Sequence, residues 1–162
     1  MAPQFTLYSH RGPGPNPLKA AILLEKLGLT YDVIALDFSN DSEKGVKGSK
    51  FLKLNPNGRV PALVDHQNKD FTVWESGAIL YYLVEKYDKD GKFFGTNAED
   101  RAVVMQWLTH QLSGLGPAQG QVSRESDRSP LLMSCPMSGE LRTSLLASHV
   151  RRATLKVGLH SL

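Results

Sequence analysis

The opening of the chain limits its fold more than any other stretch. Phe5-Thr6-Leu7-Tyr8 alternates apolar and polar residues, the period of a half-buried strand. The turn chemistry of "SHRGPGPNP" follows. Then "PLKAAILLEKLG" sets Leu18, Ala21, Ile22, Leu24 (or Leu23) and Leu27 at helical spacing. Asn16 reads as the N-cap, Pro17 suits the first turn and Gly28 suits the position just past the end. "TYDVIAL", Thr30 to Leu36, is a second strand. A strand, a helix and a strand in close succession make a parallel pair with a right-handed crossover. The chain is thereby an α/β protein.

The rest of the first piece fits round this unit. "DFSNDSEKGVKG" is a polar loop, and "SKFLKLN" a short helical turn that stops before Pro56. "RVPALVD" and "FTVW" read as strands joined by "HQNKD", a hairpin bracketed by Asp65 and Asp70. "SGAILYYLVEKY" is a helix with Ser76 as N-cap and Ile79, Leu80, Leu83 and Val84 on one face. A further helix opens at Thr96, with Glu99 three residues on as in a capping box. The order β-α-β-(α)-β-β-α-α is a thioredoxin-like arrangement; the order of strands within the sheet does not follow from it. One residue is out of place: Pro61 stands at the mouth of the apolar run Ala62-Leu63-Val64 and has no N–H to give a ladder.

Charge and composition divide the chain. All thirteen aromatic residues lie in residues 1–118. Residues 119–162 hold six basic and three acidic side chains, which leaves thirteen of each in the remainder, so the net charge of +3 belongs to the tail. That tail has no basic block and no aromatic stacking platform, so a solvated extension is preferred to a nucleic-acid or membrane arm. No apolar run reaches the ~18 residues of a membrane span. The N-terminus lacks the basic flank and apolar core of a secretory signal. The single cysteine, Cys135, excludes an intramolecular disulfide, and the histidines show no metal-ligand spacing.

Three stretches, "SHRGPGPNPLKAAILLEKLGLTYD", "FLKLNPNGRVPALVD" and "WESGAILYYLVEKY", together resemble the N-terminal domain of cytosolic glutathione transferases. The resemblance is to the fungal branch related to the yeast nitrogen-catabolite regulator, and it covers about residues 4–118. It implies a thioredoxin-like glutathione-binding domain over residues 1–90. The start of a partial all-α C-terminal domain is expected over 91–121, with an atypical tail over 122–162.

The resemblance also implies roles. Pro61 is expected to be cis, with the Val60 backbone turned to pair with the cysteinyl backbone of glutathione, as in strand addition. Ser76, with the N–H groups of a helix N-terminus, suits the α-carboxylate of the γ-glutamyl end, and Glu75 suits its α-ammonium. Asn16 is the expected donor to the thiol and the catalytic residue; Tyr8 and Ser9 are the fallback donors. Arg59 and Arg11 are candidates to steer an anionic tripeptide, and Lys47 and Lys50 flank the expected site.

The reaction implied is transfer of the glutathione thiol to an electrophile, with glutathione as co-substrate and no metal. A cytoplasmic, homodimeric detoxification enzyme is the family expectation, without nucleic-acid or membrane partners. The alternative is a non-catalytic regulatory or glutathione-binding module on the same fold. A thioredoxin-type redox protein is disfavoured because the first βα turn holds no cysteine. The stretch after Gln121 holds no aromatic residue, and a shifted reading frame or retained intron is the expected origin of the tail. Weak glutathione binding and little or no conjugation of aryl halides are accordingly expected of this chain.

Overall fold

The computed structural model describes residues 2–11 and 14–121; the expected tail over 122–162 lies outside the described residues. One compact unit ends at Gly114, and the described residues beyond it, 115–121, are helical.

The first unit runs β1 (Phe5–His10), α1 (Pro15–Lys26), β2 (Tyr31–Leu36), α2 (Ser49–Leu52), β3 (Ala62–Asp65), β4 (Phe71–Trp74), α3 (Ser76–Tyr87) and α4 (Ala98–His110). A π-type turn, Gln111–Leu115, follows α4. The sheet order is β2-β1-β3-β4. β1 and β2 are parallel, with Phe5 opposite Tyr31 and Leu7 opposite Val33. β3 is antiparallel to both β1 and β4, which puts Leu63 between Leu7 and Val73.

Each face of the sheet has its own core, because successive side chains of a strand point to opposite sides. On one face Phe5, Leu7 and Leu63 meet Ala20 and Leu24 of α1 and Ile79 and Leu83 of α3. On the other, Ala62 meets Leu36, Val46 and Phe51, with Tyr8, Leu54 and Val60 partly buried beside them. Each large apolar side chain so enclosed contributes about 1.5–3 kcal/mol.

The buried face of α1 is Pro17, Ala20 and Leu24, whereas Leu18 and Ile22, which the helical spacing also picks out, are 56% and 40% exposed. Both faces of this helix carry apolar residues, so periodicity alone could not orient it. Other differences are shifts of register at element ends. Pro15 opens α1 with Gly14 at the cap position, because a proline supplies the first-turn φ and needs no N–H partner there. Asn97, not Thr96, caps α4, its side chain accepting from the Asp100 N–H. Gly28 stands just past α1 at φ +67°, as the C-terminal signal implied.

A polar knot lies under the β3–β4 turn. The buried Asp65 carboxylate accepts from the Tyr82 hydroxyl at 2.6 Å, from the Lys86 ammonium at 3.1 Å and from the Tyr87 hydroxyl. Its other oxygen accepts from the Gln67 N–H at 3.0 Å. Burial pushes the Asp65 carboxyl up, but these hydrogen bonds outweigh burial and hold it below the ordinary carboxylate value.

Candidate functional site

The strand register decides where the chain's exits gather. Tyr8, Ala62 and Trp74 stand in one row across β1, β3 and β4. Beyond Tyr8 the chain leads into α1. Val60-Pro61 leads into Ala62, and Glu75-Ser76 follows Trp74 into α3. Three stretches far apart in sequence therefore open at the same end of the sheet. They enclose a cleft lined by Asn16, Asn55, Arg59, Val60, Pro61, Glu75 and Ser76. All six residues expected at the site, Asn16, Arg59, Val60, Pro61, Glu75 and Ser76, are brought together there.

Their local settings differ from the expectation in instructive ways. Asn16 is the second residue of α1 rather than its cap. It is exposed at the cleft, and no side chain caps this helix. Ser76 is likewise the first helical residue of α3, 4% exposed, while Glu75 holds the cap position at φ +70° without a side-chain cap bond. The first N–H groups of a helix have no partner within it, so the start of α3 offers donors to an anion beside the Ser76 hydroxyl. Glu75 is exposed and lines the same cleft.

The Val60–Pro61 peptide bond is cis. The β3 ladder begins at Ala62, so the Val60 backbone lies just beyond the paired rows, at the lip of the cleft. It is held there by Asn55, a residue that sequence reasoning passed over. Asn55 is 1% exposed. Its Nδ2 donates to the Arg59 carbonyl at 2.6 Å, and its Oδ1 accepts from the Asn57 N–H at 3.0 Å. It thus ties residues 55–59 into a closed loop. An asparagine before a proline reads as ordinary turn chemistry; only burial marks it out.

The other sequence candidates stand elsewhere. Tyr8 packs against Phe51, with ring centroids 5.4 Å apart, and the Ser9 hydroxyl donates to the His10 carbonyl at 3.3 Å. Arg11 pairs with Asp37 at 3.3 Å and Lys50 with Glu43 at 2.9 Å. Lys47 donates to the Asn57 carbonyl at 2.7 Å, bracing the loop from outside. None of these five lines the cleft. A further cation, Lys19, lies one turn into α1 from Asn16 and donates to Gln111 Oε1 at 2.7 Å. Burial pushes the Lys19 ammonium pKa down, and the nearby Glu75 carboxylate opposes that shift.

Among the described residues no group of three or more His, Cys, Asp or Glu side chains is placed to hold a metal ion, and no helix is long and apolar enough to cross a membrane. The cleft's means are therefore backbone groups, one hydroxyl, amides and a balance of opposite charges. Such a set can recognise a small peptide-like zwitterion.

Comparison with known proteins adds the following. Residues 3–85 match the family model described as the glutathione S-transferase N-terminal domain. The chain is 48% identical over 118 residues to Glutathione S-transferase 2 of Schizosaccharomyces pombe, covering 72% of this chain and 50% of that protein. It is 43% identical over 120 residues to Protein URE2 of Debaryomyces hansenii, covering 72% of this chain and 38% of that one. The chain thus spans half the length or less of these curated relatives. Among solved structures, the glutathione transferase URE2P6 of Phanerochaete chrysosporium, crystallised with oxidized glutathione, superposes with a TM-score of 0.72 at 51% identity. That match covers 80% of this chain and 57% of the other.

Proposed function

This chain belongs to the glutathione S-transferase family, and from that premise we propose that its cleft binds glutathione and activates the thiol for transfer to an electrophile. The observation that carries the reading is the convergence of Asn16, Val60, Glu75 and Ser76 from separate segments onto one cleft. The tripeptide backbone pairs with Val60 as an added short strand. Ser76 and the start of α3 receive the γ-glutamyl carboxylate, and Glu75 receives its ammonium. Arg59, on the cleft wall, attracts the anionic ligand.

Asn16 is the proposed catalytic residue. A thiol with pKa ~8.5 must fall by about two units to be mostly thiolate at neutral pH. That requires about 2.7 kcal/mol of preference for the charged form. The N-terminus of α1 supplies about 0.3–2 kcal/mol, and an amide hydrogen bond to the sulfur anion about 1.5–3 kcal/mol. These are sufficient without a general base. Because Asn16 does not cap α1, its amide is not committed to the helix end. The electrophile, a homodimeric assembly, a cytoplasmic setting and domain limits at residues 90 and 121 belong to the same proposal, supported by family membership.

The test is calorimetric titration of the full chain with glutathione, beside a conjugation assay with an aryl halide. Saturable binding at one site supports the glutathione site, and turnover, of which little is expected from this chain, supports the transfer step. Binding without turnover leaves the glutathione site but removes the transfer step, and no binding at millimolar glutathione removes both.

A further inference from the structure

Two consecutive residues of the turn after α4 reach the two helices that open on the cleft. Gln111 Oε1 accepts from the Lys19 ammonium of α1 at 2.7 Å. Leu112 lies on Gly77 of α3: a Cβ placed on Gly77 would collide with Leu112 Cδ1 and stand 3.3 Å from its Cδ2 and Cγ. Leu112 therefore fills the space that a side chain at position 77 would need. Neighbouring helical residues point roughly a quarter-turn apart, so one turn can face α1 with the first and α3 with the second. The turn is π-type, Gln111–Leu115, a rare geometry found frequently at functional sites. Both contacts fall close to the cleft. Lys19 is three residues beyond Asn16, and Gly77 directly follows Ser76. Ser76 and Gly77 are both buried, and α1 and α3 also pack on each other. α4 buries no residue of its own, so Leu112 does not rest on Gly77 as part of a wider α4 core.

We propose that Leu112 is a positioning residue of this site: seated on Gly77 and moored to α1 through the Lys19–Gln111 bond, it fixes the first turn of α3, and with it the Ser76 hydroxyl and the first N–H groups that receive the γ-glutamyl carboxylate. The inference rests on the glutathione reading above. It names a residue beyond residues 3–85, the span of the family's N-terminal domain, on which that site depends. Helix ends fray, and no side-chain bond caps the start of α3. A first turn free to move must be ordered by the ligand, at a cost in affinity. Without a Cβ, Gly77 lets Leu112 reach the backbone itself, so the contact bears on the turn and not on a side chain. The Lys19–Gln111 bond ties the same segment to the helix that carries Asn16. Leu112 acts through Ser76 and its turn, since it is not itself among the residues lining the cleft.

Calorimetric titration of the full chain and of Leu112→Ala tests this with two probes. One is glutathione; the other is its analogue lacking the γ-glutamyl α-carboxylate. Leu112→Ala is expected to weaken glutathione binding about fivefold and to leave the decarboxylated analogue within about twofold. Leu112→Met, of similar volume, restores most of the loss. Gly77→Ala, whose methyl displaces Leu112 from the turn, weakens glutathione in the parent chain and has a smaller effect in Leu112→Ala, where the methyl has room. In a Ser76→Ala background Leu112→Ala costs glutathione no more than about twofold. Gln111→Leu, which removes the mooring, weakens glutathione by about twofold. Equal losses for both probes, or an undiminished loss in the Ser76→Ala background, overturn the proposal and make Leu112 a general structural residue. Loss of the folded far-UV circular dichroism in Leu112→Ala overturns it in the same way. An unmodified chain that fails to bind glutathione overturns the function reading and this one together. A chain that binds, with Leu112→Ala equal to it, overturns this one alone.

Discussion

Removing the Asn55 side chain should damage the cleft and the fold together. In Asn55→Ala the Arg59 carbonyl loses its donor at 2.6 Å and the Asn57 N–H loses its acceptor at 3.0 Å. A buried polar group left unpaired costs about 1–3 kcal/mol. Residues 57 and 59 are themselves exposed, so water takes over part of both bonds and the lower half of the range applies to each. A small void adds to this, because Asn55 is almost fully enclosed. The sum is about 2–4 kcal/mol of stability, read as a shift of the urea midpoint at unchanged slope. Freed from its tie, the Val60 backbone no longer stands fixed for a ligand, and glutathione affinity falls about tenfold, the equivalent of ~1.4 kcal/mol. Asn55→Asp separates the two bonds. It keeps an acceptor for the Asn57 N–H but sets a carboxylate against the Arg59 carbonyl, and it should be worse than Asn55→Ala. If Asn55→Ala unfolds within ~0.5 kcal/mol of the parent, as an ordinary surface change does, and binds glutathione equally, the loop does not depend on this residue and the reasoning fails.

Further outcomes follow from the same geometry. Asn16→Ala should raise the thiol pKa of bound glutathione by about one unit, the loss of roughly 1.4 kcal/mol of hydrogen bonding; thiolate absorbance against pH reads it, and an unmoved profile excludes Asn16 as the donor. Ser76→Ala should weaken glutathione about tenfold through a lost hydrogen bond to a carboxylate, with the far-UV circular dichroism unchanged; retained affinity would assign recognition to the helix N–H groups alone. Asp65→Asn should cost about 2 kcal/mol, since hydroxyl bonds to a charged acceptor weaken. Because the folded Asp65 carboxyl lies below its ordinary value, its contribution is complete above about pH 5 and is lost as the pH falls through and below the normal carboxylate range near 4. Melting curves between pH 6 and 3 should therefore converge for parent and Asp65→Asn at the acid end, and parallel curves would refute the assignment.

What the sequence by itself determined is local. The alternation in Phe5–Tyr8, the helical spacing of residues 18–27 and the apolar run at Ala62–Val64 each express a period set by backbone geometry, so the β-α-β opening and the later hairpin were legible without coordinates. Six residues of the cleft were named from motifs, because their types and spacing carry a family resemblance even where their contacts are invisible. Only the tertiary structure decided the strand order, which depends on pairings between residues some sixty apart, such as Leu7 with Leu63. It also chose Ala20 and Leu24 over Leu18 and Ile22 as the buried face of α1, because the sheet and α3 cover one side of a helix that is apolar on both. Asn55 and Lys19 show the limit most clearly. A polar side chain in a sequence has no burial and no partner; folding closes a loop over one and sets Gln111 against the other, ninety-two residues away. Their significance comes from desolvation and from contacts between distant segments, neither of which exists until the chain is folded.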